Sequence, residues 1–393
     1  MRSRRAGRRY PPAVHATRAV LHLDRLARNL ALLRELAGGR PVWPAIKANA
    51  YGHGALPVAR ALVAAGCEAL CLARAEEAAE LAESGVRARF LLMAPALPDA
   101  SDLVASHGFE PAVCTREAVD ALARAAERAG RRLDVHVKVD TGMGRAGIRP
   151  DELPAFLAHC AAQPALRVRG IMSHFPRADE GDVAFSEAQI RAFAAACEDA
   201  RRGCASAPLR HMANSAALFA LPASRFDAVR PGIALYGLAP GPKLASPRVA
   251  ELAPVLEWTT RVAFLKEVPA GTGLSYGHDF RTTRPSLVAT LPVGYGDGLR
   301  RALSGRIHVL VGGVPCPQVG RVTMDQILVD VTALRGRVAL GDPAVLLGRQ
   351  GEAEIRVEAW ADLLGTIPYE VLTGIASRVP RVALDEAGAP PGP

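Results

Sequence analysis

Lysine is rare in this chain, and its rarity singles out positions where an amine could do chemistry. Of the 48 lysine and arginine residues only four are lysine, namely Lys47, Lys138, Lys243 and Lys266. Arginine stays protonated at physiological pH, whereas a lysine amine can lose its proton and act as a base or a nucleophile. Lys47 and Lys138 are therefore candidates for such a role, and Lys243 and Lys266 are interpreted as ordinary surface residues.

Lys47 ends an apolar segment, Val42–Lys47, that predicts a buried strand. At the carboxyl end of a barrel strand the amine would lie where barrel enzymes keep their catalytic groups. A partly desolvated lysine there has a lowered pKa and can form a Schiff base with a carbonyl cofactor. The alternative is a structural lysine whose ammonium group extends from the strand end into solvent.

The elements that must position Lys47 alternate between short strands and helices. Eight strands, most of them followed by a helix-forming stretch, predict a TIM-type (β/α)8 barrel of the α/β class. An open doubly wound sheet is the alternative, but no GxGxxG motif follows the first strand. The predicted strands are Val42–Lys47, Ala69–Leu72, Phe90–Met93, Glu110–Cys114, Asp134–Val139, Val168–His174, Leu209–Ala213 and Phe226–Arg230.

Polar groups follow several of these strands and are expected at one rim of the barrel. They are the side chains of Lys47, Lys138, Arg145, His174, Asn214, Ser215 and Arg230, and the backbone of Gly232 and Ile233. Groups after strands seven and eight occupy the usual phosphate position of this fold. A basic rim with a phosphate site and a reactive amine indicates pyridoxal phosphate. Singly, each residue has another explanation: His174 as a core histidine, Asn214 as a helix cap, Arg145 as a surface charge.

Beyond Pro240 the pattern changes to short strands separated by Gly/Pro turns, which predicts a second, mostly β domain. The predicted strands are Val255–Val268, Leu287–Val293, Ile307–Val311, Gln326–Val331 and Pro343–Leu347, before a helix at Val357–Leu364. The expected domains are a disordered basic tail at 1–14, the cofactor-binding barrel at 15–246, the β domain at 247–385 and a disordered tail at 386–393.

Composition excludes several other classes of protein. The net charge is +9, but five arginines lie in the first nine residues, and no nucleic-acid motif accompanies them, so no nucleic-acid partner is expected. The seven scattered cysteines suggest neither a disulfide framework nor a metal site. Because no apolar stretch is long enough for a membrane span and no secretory signal follows the arginines, a cytoplasmic protein with no membrane association is expected.

The motifs along the chain resemble those of the bacterial alanine racemases, from about Thr17 to Leu384. They are IKANAYGHG, KVDTGMGRAG, SHFPRADE, HMANSA, VRPGIALYG, LSYGHDF, PVGYGDG, GRVTMDQ and PYEVLTGIASRVPR. The resemblance implies a pyridoxal 5'-phosphate enzyme that works as a homodimer with active sites shared between subunits. Lys47 would hold the cofactor and exchange the α-proton on the D face of the external aldimine. Tyr276, from the other subunit, would serve the L face.

The resemblance also implies roles for the remaining site residues. The phosphate-binding positions match Tyr51, Asn214, Ser215, Gly232, Ile233 and Tyr369. Arg230 would face the pyridine nitrogen, and His174 would lie behind the ring. Arg145 and the Met324 backbone match the positions that bind the substrate carboxylate. Three residues would support the site, namely Tyr295 at the entry channel, Lys138 as a lysine often carbamylated in the family, and Asp325 beside Met324.

The activity that the resemblance implies is interconversion of L-alanine and D-alanine by two bases, with D-alanine supplied to peptidoglycan. A broader racemase acting on serine or basic amino acids is an alternative, because Thr323, at the rim of the pocket, replaces the cysteine that many relatives have before Met324. Pro176-Arg177, where smaller residues are common, is a second departure from the family pattern. A decarboxylase with the same domain plan is a less favoured alternative, since its glycine-rich phosphate loop and Cys/Asp pair are not found. A non-catalytic cofactor carrier would resemble the barrel alone.

Overall fold

The computed structural model describes residues 16–95, 97–201, 207–244 and 246–384, and the two tails predicted to be disordered lie outside them. The described residues pack as two compact units. The first is Asp24–Ala253, and the second combines residues 16–23 with residues 254–384. The sequence placed this division at residue 246 and counted residues 15–23 with the barrel.

The strands in chain order are β1 Arg18–His22, β2 Ala69–Leu72, β3 Arg89–Pro95, β4 Glu110–Val113, β5 Leu133–Lys138, β6 Leu166–Met172, β7 Leu209–His211, β8 Leu256–Arg261, β9 Phe264–Val268, β10 Gly273–Leu274, β11 Phe280–Arg281, β12 Ser286–Leu291, β13 His308–Val311, β14 Val314–Val319, β15 Ile327–Asp330, β16 Pro343–Gln350, β17 Ala353–Ile355 and β18 Arg381–Leu384. The helices are α1 Leu23–Ala37, α2 Lys47–Tyr51, α3 Ala55–Ala64, α4 Ala75–Glu83, α5 Ser101–His107, α6 Arg116–Arg128, α7 Leu153–Ala161, α8 Ala184–Arg201, α9 Ser215–Ala220, α10 Val357–Leu364 and α11 Pro368–Thr373.

The first unit is a parallel barrel, which confirms the predicted fold class. Strands β2 to β7 form a six-stranded parallel sheet in sequence order. Single parallel bridges continue it at both ends, with Ala45 paired to Cys71 and His211 paired to Ala228. A third bridge, between Val42 and Val229, joins the two added segments to each other and closes the ring.

The first and eighth predicted strands are thus present only as bridged segments. Proline explains why they do not form regular ladders. Pro41, Pro44 and Pro231 lie in these segments and have no N–H to donate. Their carbonyl oxygens still accept hydrogen bonds. Pro41 O accepts from Val229 N at 3.0 Å, Pro44 O from Cys71 N at 2.8 Å, and Pro231 O from Ala45 N at 2.8 Å.

Amphipathic helices cover the barrel. In α6 the buried residues include Val119, Leu122 and Ala126, whose spacing of three and four places them on one face of the helix. The helix starts at a threonine cap, because Thr115 Oγ1 accepts a hydrogen bond from Ala118 N at 3.3 Å. Burial of this face against the strands fixes the loops that connect each strand to its helix.

The second unit is mostly β, as the sequence predicts. Its main sheet has the order β18-β1-β8-β16-β13-β14-β15-β12-β9, with β17 paired to β16, and β10 and β11 form a separate ribbon. Only the β1–β18 pairing is parallel among the pairs described in this sheet. Trp258 and Trp360 meet edge to face in its core, with ring centroids 6.0 Å apart.

Two departures from the predicted strands have local causes. The predicted strand Val255–Val268 is divided into β8 and β9, and the chain between them continues into a different part of the sheet. Strand β14 was not predicted because Pro315 and Pro317 interrupt its apolar pattern. Both prolines lie where β14 pairs with β13 alone, so that one side of the strand needs no donor there.

Candidate active site

Lys47 begins a turn with an unusual backbone. Ala48, Asn49, Ala50 and Tyr51 have φ values from 51 to 54°, so they form a left-handed helical turn without a glycine. Each such residue costs about 1–2 kcal/mol relative to a right-handed conformation. The turn must therefore be held by contacts with the rest of the barrel.

Two side chains hold this turn. Glu77 Oε1 accepts a hydrogen bond from Ala48 N at 2.7 Å. Its other oxygen, Oε2, accepts from Ala73 N at 3.0 Å and Arg74 N at 3.1 Å, at the end of β2 and the start of α4. Asn49 Oδ1 accepts from Ala55 N at 2.7 Å. The lysine is thereby fixed to the ends of two neighbouring barrel segments.

The rim around Lys47 is cationic, as its electrostatics show. Burial lowers the pKa of the Lys47 amine, and the charge of Arg145 lowers it further. Burial, followed by the charges of Arg145 and Arg230, lowers the pKa of Lys138 to about 8. Burial and the same arginines lower the pKa of His174 to about 3, so its imidazole is neutral. The barrel thus brings together five of the predicted residues, and Lys47 and Lys138 both release protons more easily than a free lysine.

The predicted phosphate-binding residues of the barrel also lie together. Ser215 Oγ accepts hydrogen bonds from Gly232 N at 2.8 Å and Ala234 N at 3.3 Å. A Cβ atom at Gly232 would lie 2.4 Å from the Tyr51 hydroxyl oxygen, so only glycine permits this approach. Asn214 Oδ1 accepts from Ala217 N at 3.0 Å and caps α9, as the alternative interpretation of Asn214 proposed. Ile233 follows Gly232 and is buried.

Arg230 is buried in the barrel unit. Its guanidinium donates to Ser173 O at 2.7 Å and to His211 Nδ1 at 2.5 Å. Burial lowers the pKa of Arg230 to about 10, which still leaves it protonated at neutral pH. A fixed cation therefore lies near the Lys138 amine, whose pKa it lowers.

The remaining predicted residues belong to the second unit. Tyr276 lies on the turn between β10 and β11 and is 71% exposed. Ser275, before it, has a φ of 62° and donates from Oγ to Arg321 O at 2.8 Å. This contact fixes the loop that carries the phenol.

A second cluster in this unit contains Tyr295, Met324 and Asp325. Tyr295 N donates to Thr323 O at 2.9 Å, and Gly296 N donates to Met324 O at 2.9 Å. Arg378 ties the cluster together by donating to Asp297 Oδ1 at 2.7 Å and to Asp325 Oδ1 at 2.9 Å.

Tyr369 lies in the first turn of α11, and its carbonyl accepts from Thr373 Oγ1 at 2.8 Å.

Some residues that shape the site were not predicted. Glu77 lies three residues after Arg74 at the start of α4, a spacing typical of a helix-capping glutamate that could have drawn attention to it. His211 lies inside the HMANSA motif, three residues before Asn214, and its position could have marked it. His136, Glu110 and Arg378 carry no such signal. Among the described residues, no group of three or more metal-ligating side chains could hold a metal ion.

A (β/α)8 barrel with a partly desolvated lysine, a buried arginine and a serine that accepts two backbone N–H groups is typical of the pyridoxal-phosphate class of amino-acid enzymes. The comparisons with known proteins agree. Residues 21–240 match the family model "Alanine racemase, N-terminal domain", and residues 255–383 match "Alanine racemase, C-terminal domain". The chain belongs to the alanine racemase family and is a pyridoxal-phosphate-dependent racemase, an isomerase.

The relatives cover nearly the whole chain. An alanine racemase of Clostridium novyi is 38% identical over 93% of this chain and 94% of its own length. An alanine racemase of Halothermothrix orenii is 40% identical over 95% of this chain and 98% of its own length. A crystal structure of alanine racemase from Streptomyces lavendulae is 37% identical with a TM-score of 0.87, over 96% of this chain and 98% of that one. One from Bacillus anthracis with bound L-Ala-P is 34% identical with a TM-score of 0.89, over 96% and 97%.

No helix among the described residues is long and apolar enough to cross a membrane.

Proposed function

We propose that this racemase interconverts L-alanine and D-alanine with two bases, Lys47 and Tyr276, and with pyridoxal 5'-phosphate bound at the barrel rim. The observation that carries the proposal is the Lys47 amine, which burial and Arg145 make easier to deprotonate. Its left-handed turn, held by Glu77, fixes the backbone from which the Lys47 side chain extends. The names of the relatives support alanine as the substrate.

The residues of the barrel fit this cofactor. Ser215 accepts two backbone N–H groups, which leaves its own O–H free to donate to a phosphate oxygen. Only glycine fits at position 232, because the Tyr51 hydroxyl fills the space where a side chain would be. Ser215, Gly232 and Tyr51 would hold the phosphate, together with Asn214 and Ile233 of the barrel and Tyr369 of the second unit.

When bound, pyridoxal phosphate supplies an aldehyde carbon that joins an amine and a conjugated ring that withdraws electrons from the substrate Cα. Lys47 Nζ would hold the aldehyde carbon and later take or return the Cα proton on one face. Arg230 would face the ring nitrogen, and because a guanidinium is donor-only it would leave that nitrogen without a proton. His174 is neutral, so it would lie behind the ring without adding positive charge. Arg145, with the Met324 backbone, would bind the substrate carboxylate.

Tyr276 would move the proton on the opposite face. A single rigid base returns a proton to the side from which it came, whereas racemisation needs a group on each side. We propose that Tyr276 enters the site of a second subunit in a homodimer with shared active sites. Its exposed side chain in the single chain is consistent with this role.

Mixed dimers test the sharing of sites between subunits. We expect Lys47→Ala and Tyr276→Phe each to lose alanine racemisation. When the two inactive proteins are unfolded and refolded together, half of the dimers would be mixed, and each mixed dimer would hold one site with both bases intact. Activity should then return to about a quarter of the wild-type value. Refolding each variant alone is the control, and no recovery on mixing would show that both bases come from one chain.

Substrate choice is tested by racemisation of L-alanine, L-serine and L-lysine under the same conditions. We expect kcat/KM for alanine to exceed that for serine by about 10-fold or more, because a pocket sized for a methyl group must desolvate the extra hydroxyl. An equal rate with serine or lysine would favour the broader racemase, and release of carbon dioxide would favour a decarboxylase. Growth of a bacterium that requires D-alanine, restored by this chain in its cytoplasm, would support the role in peptidoglycan supply.

A further inference from the structure

A continuous chain of hydrogen bonds runs from Arg230 through the interior of the barrel. Arg230 donates to His211 Nδ1 at 2.5 Å. The other nitrogen of His211, Nε2, lies 2.8 Å from His136 Nδ1. His136 Nε2 lies 3.0 Å from Glu110 Oε2. We call the four residues Arg230, His211, His136 and Glu110 the interior chain.

The two ends of the interior chain fix the position of every proton in it. A guanidinium can only donate, so His211 Nδ1 must accept and the His211 proton must be on Nε2. That N–H then donates to His136 Nδ1, so the His136 proton is on Nε2 as well. A carboxylate can only accept, and Glu110 receives this last N–H. All the donors therefore point in one direction, from Arg230 to Glu110.

Glu110 is built to remain the accepting end. Arg89 holds it in a bidentate pair, donating to Oε1 from Nε at 2.7 Å and to Oε2 from the terminal nitrogen at 2.9 Å. These bonds and the one from His136 outweigh burial and lower the pKa of Glu110 to about 2. Both imidazoles have no exposed surface, so no water can reverse their tautomers.

The barrel makes room for the chain at one glycine. His136 is on β5 and His211 on β7, and β6 runs between them. The β6 residue between the two rings is Gly170, where a Cβ atom would lie 2.4 Å from His136 Nδ1 and 3.0 Å from His211 Nε2. A side chain of any size at position 170 would therefore separate the imidazoles.

We propose that Glu110 and His136 are positioning residues for the racemase reaction, which set the tautomer of His211 and thereby hold the Arg230 guanidinium against the cofactor ring. If the direction of the chain reversed, the His211 proton would be on Nδ1 and would face the guanidinium, and Arg230 would be displaced. The inference rests on the proposed role of Arg230 at the ring nitrogen. It assigns a function to a carboxylate whose hydrogen bonds are to Arg89 and His136 and which reaches Arg230 only through the two imidazoles.

Neutron diffraction from deuterated crystals of the enzyme with its cofactor tests the proposal directly. We expect deuterons on Nε2 of both His211 and His136 and none on Nδ1 of either ring. Glu110 Oε2 accepts from both Arg89 and His136, so in Glu110→Gln the amide can keep its oxygen there, with its NH2 group against Arg89 Nε, or turn and donate from that NH2 group to His136 Nε2. The second orientation reverses the chain, so we expect mixed deuteron positions at His211 and a displaced Arg230. We also expect kcat to fall about 10-fold, the lower end of the loss seen when a hydrogen-bond partner that orients a metal ligand is removed.

Glu68→Gln is the matched control, because Glu68 also faces Arg89, at 3.9 Å, but is exposed and outside the interior chain. It should leave the deuterons and kcat unchanged. If Glu110→Gln does not fold, Gly170→Ala provides the second test, since its methyl group separates the imidazoles without changing a charge. A deuteron on Nδ1 of His211 in the wild type would overturn the proposal. Wild-type deuteron positions and kcat in folded Glu110→Gln, or in folded Gly170→Ala, would also overturn it.

Failure of the proposed racemase function can be distinguished from failure of this positioning role. It would appear as a wild-type enzyme that does not racemise alanine, whereas the deuteron positions are measured whether or not alanine is the substrate.

Discussion

At the scale of single residues, the site depends on neighbouring charges of one sign. Arg145 lowers the pKa of both Lys47 and Lys138, and burial, the larger cause, acts in the same direction. For an amine this favours the neutral form, the one that can take a proton from carbon. The same arrangement keeps His174 neutral. The barrel thus holds protonated arginines beside amines that release their protons.

Removal of the Arg145 charge should make both lysines harder to deprotonate. In Arg145→Gln we expect the pKa of Lys47 and that of Lys138 to rise, because a nearby positive charge no longer opposes protonation. With only four lysines in the chain, 13C-lysine NMR titration of the cofactor-free protein resolves each amine, provided that carbon dioxide is excluded. Arg149→Gln is the control, since Arg149 pairs with Asp151 at the surface. Unchanged titration of both amines in Arg145→Gln would contradict the charge argument.

At the scale of elements, the turn that carries Lys47 shows what the sequence could and could not predict. The alternation of strands and helices predicted the barrel because burial imposes that pattern on the sequence. The left-handed turn was not predicted, since alanine prefers the right-handed conformation and only contacts such as the one with Glu77 reverse that preference. The pairing of His136 with Glu110 was not predicted because it joins two strands through side chains whose types alone specify no partner.

The Glu77 contacts should therefore matter for both stability and activity. In Glu77→Gln the carboxylate that accepts from Ala48, Ala73 and Arg74 becomes an amide with a single acceptor oxygen. We expect the free energy of unfolding to fall by about 0.5–1.5 kcal/mol, because the amide nitrogen faces at least one of these exposed or half-buried N–H groups and no longer accepts from it. We also expect kcat to fall more than KM changes, since the turn holds Lys47. Denaturant titration and steady-state kinetics measure the two effects. Glu76→Gln, one residue away, is the control, and equal effects in both variants would contradict this role.

At the scale of the whole molecule, the two units divide the chemistry. The barrel unit carries Lys47, Arg145, Arg230 and the proposed phosphate-binding residues, and the second unit carries the exposed phenol of Tyr276. In the barrel unit the pKa values of three histidines are also lowered, namely His136, His174 and His211. In each, burial is the largest cause of the shift. These three histidines therefore resist protonation in the folded barrel unit.

Acid should unfold the barrel unit because these histidines are neutral in the native state and bind protons when unfolded. Their stabilising contribution is complete above the unfolded pKa of about 6.5 and is lost as the pH falls below it, which for His174 continues to about 3. Each contributes a slope of about 1.4 kcal/mol per pH unit in this window. Hydrogen exchange followed by mass spectrometry from pH 7.5 to 4.5 should show protection falling in β2 to β7. His174→Gln should reduce the slope of unfolding free energy against pH by the contribution of one proton. His308→Gln is the control and should leave the slope unchanged, because His308 is exposed on β13. Protection of the barrel strands that does not change with pH would contradict this prediction.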